Sequence, residues 1–97
     1  MGQFLFDQYS LLHFAVGIIA YFFGIDSSLF FFLHALFEWV ENTEKGMFVI
    51  NRYIKVWPGG KPAADSILNR IGDTISAMLG WFIAYIVTEI GKRKKWY

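Results

Sequence analysis

The chain has no cysteine, which excludes a disulfide framework and any thiolate metal site. Charge is scarce as well: only 18% of the 97 residues are charged, and the formal net charge of +1 leaves no electrostatic footprint for a nucleic-acid partner. No Walker loop, G-x-S-x-G nucleophile elbow or H-E-x-x-H zinc motif occurs. At 97 residues there is no room for a second domain, so residues 1–97 read as one unit.

What is abundant is apolar surface. Hydrophobic residues make up 56% of the chain and aromatics 21%. A soluble chain this short could not hide that much apolar area in its own interior, and a chain so rich in Phe, Ile and Leu does not stay unfolded. The expected class is therefore all-α: a small polytopic membrane protein with three transmembrane helices.

The spans are expected at about 4–25, 28–45 and 64–91. Phe4 to Ile25 would cover about 33 Å at the helical rise, enough to cross a bilayer. Met1-Gly2-Gln3 carries no Lys or Arg, so this run does not read as a signal peptide. A turn at Gly24-Ile25-Asp26-Ser27-Ser28 leads to a second helix, with Ser27 or Ser28 as its cap. Its clean apolar part ends early, at His34, Glu38, Glu41 and Asn42. Ile71 to Ile90 is the third apolar run, followed by Lys92-Arg93-Lys94-Lys95 and then Trp96-Tyr97, a basic stop with interfacial aromatics. Between the second and third helices, Met47, Ile50, Ile54 and Trp57 recur at helical spacing and predict an interfacial amphipathic segment, broken by Trp57-Pro58-Gly59-Gly60. Basic residues are tied between the two sides: Lys92 to Lys95 against Lys45, Arg52, Lys55 and Lys61. The contiguous, juxtamembrane group favours a cytoplasmic C-terminus.

The informative residues are those that interrupt the apolar runs. An ionisable group at mid-span costs roughly 2.5 kcal/mol or more and usually faces a partner or a cavity. His34, Glu38 and Glu41 share one helix face, and Asn42 and Lys45 continue it. Asp65, Asn69, Gly72, Asp73, Ser76 and Gly80 share a face of the last helix, as His13, Gly17, Ala20 and Gly24 do of the first. Small residues in these stripes permit close backbone approach. A three-helix bundle with its polar stripes facing inward would gather Glu38, Glu41, Asp65 and Asp73. Crowded carboxylates must take up protons, pair with cationic side chains or bind a cation.

Each residue also has a structural role open to it. His34 and Glu38 form an i,i+4 pair, as do Glu41 and Lys45. Asp65 can cap a helix, Asp73 can pair with Arg70 or Arg52, and Asn69 and Ser76 can join helices.

The order Glu38-Trp39-Val40-Glu41-Asn42, Ile50-Asn51-Arg52-Tyr53, Asp65-Ser66-Ile67-Leu68-Asn69 and Gly72-Asp73 resembles a bacterial membrane family known only as a domain of unknown function, the 2585 type. More loosely it is similar to VanZ-like membrane proteins. Upstream, His13 with Gly17 is similar to that family's Ser-His…Gly helix. The resemblance implies that Glu38, Glu41, Asn42, Arg52, Tyr53, Asp65, Ser66, Asn69 and Asp73 act together.

Together these readings lead to an expected enzyme acting on a lipid or lipid-linked phosphate through a divalent metal, Mg²⁺, Mn²⁺, Ca²⁺ or Zn²⁺. Glu38, Asp65, Asn69 and Asp73 would hold the metal. Glu41, His34 and His13 would serve proton transfer or ligation, and Arg52, Tyr53, Asn42 and Ser66 would contact the substrate. Two rivals stand beside it: a proton or cation channel formed by a homo-oligomer, and a non-catalytic membrane scaffold.

Overall fold

A computed structural model of the protein describes residues 3–53 and 64–96. Four helices follow in order: α1 (Gln8–Phe22), α2 (Ser27–Glu41), α3 (Glu44–Tyr53) and α4 (Ile67–Arg93). No strand occurs among the described residues, so the all-α class holds.

The helices are shorter than hydropathy alone predicts, and capping chemistry explains why. The Asp7 carboxylate accepts from the Tyr9 N–H at 2.9 Å, while the Ser10 hydroxyl accepts from the Asp7 N–H at 3.0 Å. This reciprocal cap starts α1 at Gln8 and leaves apolar Phe4 to Phe6 outside the helix. At the other end Gly24 takes φ +80°, a left-handed conformation that suits glycine and ends the helix. Asp26, rather than Ser27 or Ser28, caps α2, accepting from the Leu29 N–H at 2.8 Å. The C-terminal boundary of α2 falls at Asn42, where Thr43 donates its hydroxyl to the Val40 carbonyl and accepts from the Gly46 N–H. Ser66 caps α4 by accepting from the Asn69 N–H at 3.1 Å, which leaves Asp65 outside that role.

Consequently α1 and α2, with 15 residues each, reach only about 22 Å. Among the described residues only α4, at 27 residues, is long and apolar enough to cross a membrane. The expected three full-length spans thus reduce to one such helix and two shorter companions. α3 supplies the first half of the anticipated amphipathic segment and buries none of its residues. Ile54, Trp57 and the break at Trp57 to Gly60 lie outside the described residues.

α1 and α4 form the closest pair. A Cβ on Gly17 would run into the Ala77 carbonyl of α4, and one on Gly80 into the Phe14 carbonyl of α1. The two glycines therefore permit mutual backbone contact that any larger residue would prevent. His13 meets Asp73, Gly17 meets Ala77 and Tyr21 meets Tyr85, so the two helices run parallel. α2 returns antiparallel, taking Ile25 to Trp81, His34 to Thr74 and Asn42 to Asp65.

Burial in this bundle is inverted. Among the described residues the buried hydrophobic ones are Ala20, Phe30, Ala77, Trp81 and Ala84, whereas ten polar or charged residues are buried. The large apolar side chains point outward, among them Leu11, Ile19 and Phe22 on α1, Phe31, Phe32 and Trp39 on α2, and Leu79, Phe82 and Ile86 on α4. The described exterior is therefore rich in large apolar side chains, well beyond the scattered single exposures usual on a globular surface.

Candidate metal centre

Three helices place the polar cluster. His13 is the sixth residue of α1 and Asp73 the seventh of α4, roughly 8–9 Å along each helix from its start. Antiparallel α2 brings His34 and Glu38 to the same level from the opposite direction. Asp65 enters from the segment just before α4. All five are buried, with Asp73 only 2% exposed and Glu38 4%.

Two groups of donors share Glu38. His13, His34 and Glu38 each offer an atom within 4.8 Å of the others, as do Glu38, Asp65 and Asp73. The first of these, a buried His/His/Glu set, has the composition and spacing to hold a metal ion. At the centre, His13 Nε2 stands 3.5 Å from Glu38 Oε1 and 3.3 Å from Asp73 Oδ2. His13 Nδ1 lies 2.9 Å from His34 Nε2, whose Nδ1 lies 3.4 Å from Thr74 Oγ1. The His34–Glu38 distance of 3.8 Å is the expected i,i+4 approach, now embedded in a larger constellation.

Neighbouring side chains fix this arrangement. Asn42 donates from Nδ2 to the Glu38 carbonyl at 2.8 Å and to Glu38 Oε2 at 3.3 Å. Its Oδ1 accepts from the Asp65 N–H at 2.8 Å, joining the end of α2 to the approach to α4. Asn42 thus positions two of the carboxylates, where a substrate contact was expected. Ser66 is occupied as the α4 cap and donates to the Gln3 carbonyl at 3.2 Å. Asn69, an expected ligand, spends its amide N–H groups on the Phe4 carbonyl at 2.7 Å and Asp7 Oδ2 at 3.1 Å. It holds the segment before α1 against α4.

Glu41 is buried one turn beyond Glu38 and lies outside both donor groups. Arg52 and Tyr53 are exposed on α3, with the guanidinium 5.9 Å from the Phe48 ring centroid and 5.8 Å from that of Tyr53. The structure thus brings together His13, His34, Glu38, Asp65 and Asp73, with Asn42 beside them, and leaves Arg52 and Tyr53 on the surface.

Thr74 carries no signal in the sequence, and Asp7 shows there only as a break in the first apolar run. Thr74 sits next to the striped residue Asp73, one position off the polar face, and Asp7 lies in an apolar run. Asp7 caps α1 locally and meets Asn69 across the bundle, and Thr74 reaches His34 on α2.

A cavity of about 330 Å³ lies between α1 and α2. Its walls are apolar, including Val16, Ile19, Phe30 and Leu33, and its polar lining is His13 and His34. The donor set and an apolar cleft therefore meet at the two imidazoles.

A scan against protein-family models finds no match to this chain, and neither does a search of curated proteins or of solved structures.

Proposed function

We propose that this chain is a multi-pass membrane protein that binds a divalent transition metal among His13, His34, Glu38, Asp65 and Asp73 and uses it to hydrolyse a lipid or lipid-linked phosphate. The observation that carries the reading is the joint inversion: apolar side chains outside, and a His/carboxylate cluster drawn from three helices inside. Membership of the bacterial family of unknown function belongs to the same reading.

α4 crosses the bilayer. Only a third of its apolar window is buried in the bundle, unlike the core helix of a soluble protein. α1 and α2 cross beside it, their short helices accommodated by local thinning and by the non-helical residues that flank them. Lys92, Arg93, Lys94 and Lys95 hold the C-terminus at the cytoplasmic face, so the cluster lies in the opposite half of the membrane.

Mixed imidazole and carboxylate donors suit Zn²⁺, Mn²⁺ or Fe²⁺ better than Mg²⁺ or Ca²⁺, which prefer all-oxygen sites. A metal there would acidify a bound water and polarise a phosphoryl oxygen. The cleft between α1 and α2 would take an apolar chain and leave the head group beside the imidazoles.

The test is metal analysis of protein purified in detergent, paired with mass spectrometry of mixed lipids incubated with it. Bound metal that disappears in Asp73→Ala, together with turnover of a phosphate-bearing lipid, supports the reading. Folded protein without metal or turnover overturns it.

Proton conduction by an oligomer is a second reading, favoured by the hydrogen-bonded pair of imidazoles abutting two carboxylates. Proton flux in liposomes that Glu38→Gln abolishes, with no lipid chemistry, would select it.

A further inference from the structure

Two grooves flank α2, and they differ in charge. The cleft between α1 and α2 is lined by two imidazoles and, among the described residues, by no Lys or Arg. On the other side of α2, a groove of about 490 Å³ lies against α4. Phe31, Ile71 and Ile75 form its apolar walls, and Glu38, Arg70 and Thr74 are its polar lining. It reaches the edge of the buried cluster, because Glu38 belongs to both donor groups and Thr74 Oγ1 lies 3.4 Å from His34 Nδ1.

Arg70 is the cation of this groove. The pairing with Asp73 that its position allows does not form, since Asp73 Oδ2 faces His13 Nε2 at 3.3 Å. Half-buried Arg70 donates from Nε to the Asp65 carbonyl at 3.3 Å and forms no ion pair with a carboxylate among the described residues. That bond anchors one edge of the planar fork and leaves its Nη–H donors for an oxyanion. A guanidinium between apolar walls is costly unless an anion meets it. Its depth fits as well. Over 27 residues α4 reaches about 40 Å, the thickness of a bilayer with its head-group layers. Arg70, the fourth residue of α4, stands about 5 Å from its start, at the level of the lipid phosphates. Trp39, exposed on the facing wall, is the kind of aromatic that gathers at that level.

We infer that the α2–α4 groove binds a phospholipid, whose phosphate sits on the Arg70 guanidinium and whose chain lies along Phe31, Ile71 and Ile75. Complementarity selects this occupant. Apolar walls suit an acyl chain, and a planar fork of N–H donors suits a phosphate. A free phosphate would meet the cation and leave the walls uncovered, whereas a lipid without phosphate would cover the walls and leave the cation unmatched. The site is distinct from the α1–α2 cleft. It rests on the membrane reading above, and on neither metal binding nor hydrolysis. It also puts the phosphate contact on Arg70, where the sequence pointed to Arg52.

The test measures binding of dioleoylphosphatidic acid and of dioleoylglycerol to the full-length protein in detergent micelles. The phosphate-bearing lipid should bind about 10–100-fold more tightly, the range of a hydrogen-bonded charge contact. Arg70→Gln should erase most of that difference, and Arg70→Lys, which keeps the charge without the fork, should restore part of it. A preference that survives Arg70→Gln, or that vanishes in Arg52→Gln, overturns the assignment. Inorganic phosphate at the concentration of the lipid should not displace it; displacement would show that the walls contribute nothing, against the inference. A phosphatidic acid with a diazirine in its acyl chain should crosslink to Phe31, Ile71 or Ile75, and crosslinks confined to Val16, Ile19 and Leu33 would place the lipid in the other cleft.

Ile75→Trp fills the groove and leaves Arg70 in place, so it decides the matter if Arg70→Gln does not fold. It should lose the phosphatidic acid while its thermal unfolding stays unchanged, and undiminished lipid binding in this variant overturns the inference. Alkaline carbonate separates the two readings: a wild-type chain that it strips from membranes fails the membrane reading. A chain that stays inserted and binds both lipids equally fails this inference alone.

Discussion

The two ends of the bundle are built from opposite materials. Near the α1–α2 turn, Ala20, Phe30, Ala77 and Trp81 form the hydrophobic core. Trp81 stacks on Tyr85 with ring centroids 5.7 Å apart and donates Nε1–H to the Ile25 carbonyl at 2.7 Å. At the other end His13, His34, Glu38, Asp65 and Asp73 occupy the same interior, braced by Asn42 and Asn69. One end derives its stability from packing; the other holds groups that packing alone would never select. The difference teaches that this fold places its apolar packing and its buried polar groups at separate levels along one axis.

Substitutions can break that division. The largest effect is expected where both ends depend on one contact. Gly17→Leu drives a side chain into the α4 backbone and should prevent stable folding in detergent, read as loss of a thermal unfolding transition. Trp81→Ala should cost about 3 kcal/mol or more, yet leave metal content per folded molecule unchanged, as thermal unfolding and elemental analysis would show. Glu38→Gln should do the reverse, abolishing metal binding while leaving metal-free stability equal or higher, because it removes one of three crowded carboxylates. Asn69→Ala should cost about 1–2 kcal/mol and speed hydrogen exchange from Phe4 to Asp7, the segment that its amide holds. Arg52→Ala, on an exposed side chain, should change stability by less than about 0.5 kcal/mol and leave metal content untouched. A large loss of metal in Arg52→Ala would return that residue to the site.

The helical class and the inward polar stripes were legible from spacing alone. His34 and Glu38 lie one turn apart, and Asp73 falls on the same face as Asn69 and Ser76, so periodicity was enough to group them. Helix limits were not fully legible from hydropathy, because local hydrogen bonding overrides it: Asp7 begins α1 inside an apolar run, and Asp26 rather than Ser27 or Ser28 caps α2. Nor was the division of labour among the polar residues. Asn42 and Asn69 look like ligands in a stripe, yet their amides bind backbone and carboxylate partners 23 to 65 positions away. The pairing of His13 with His34 depends on how far each helix is rotated about its axis, which no single helix encodes.

Because Gly17 of α1 packs against Ala77 of α4, that contact cannot form until α4, which follows α2 and α3 in the chain, has been made. During synthesis α1 and α2 emerge as a hairpin holding His13, His34 and Glu38, while Asp73 is still to come. The hairpin alone thus presents His13, His34 and Glu38, and the Asp73 carboxylate joins them only when α4 docks.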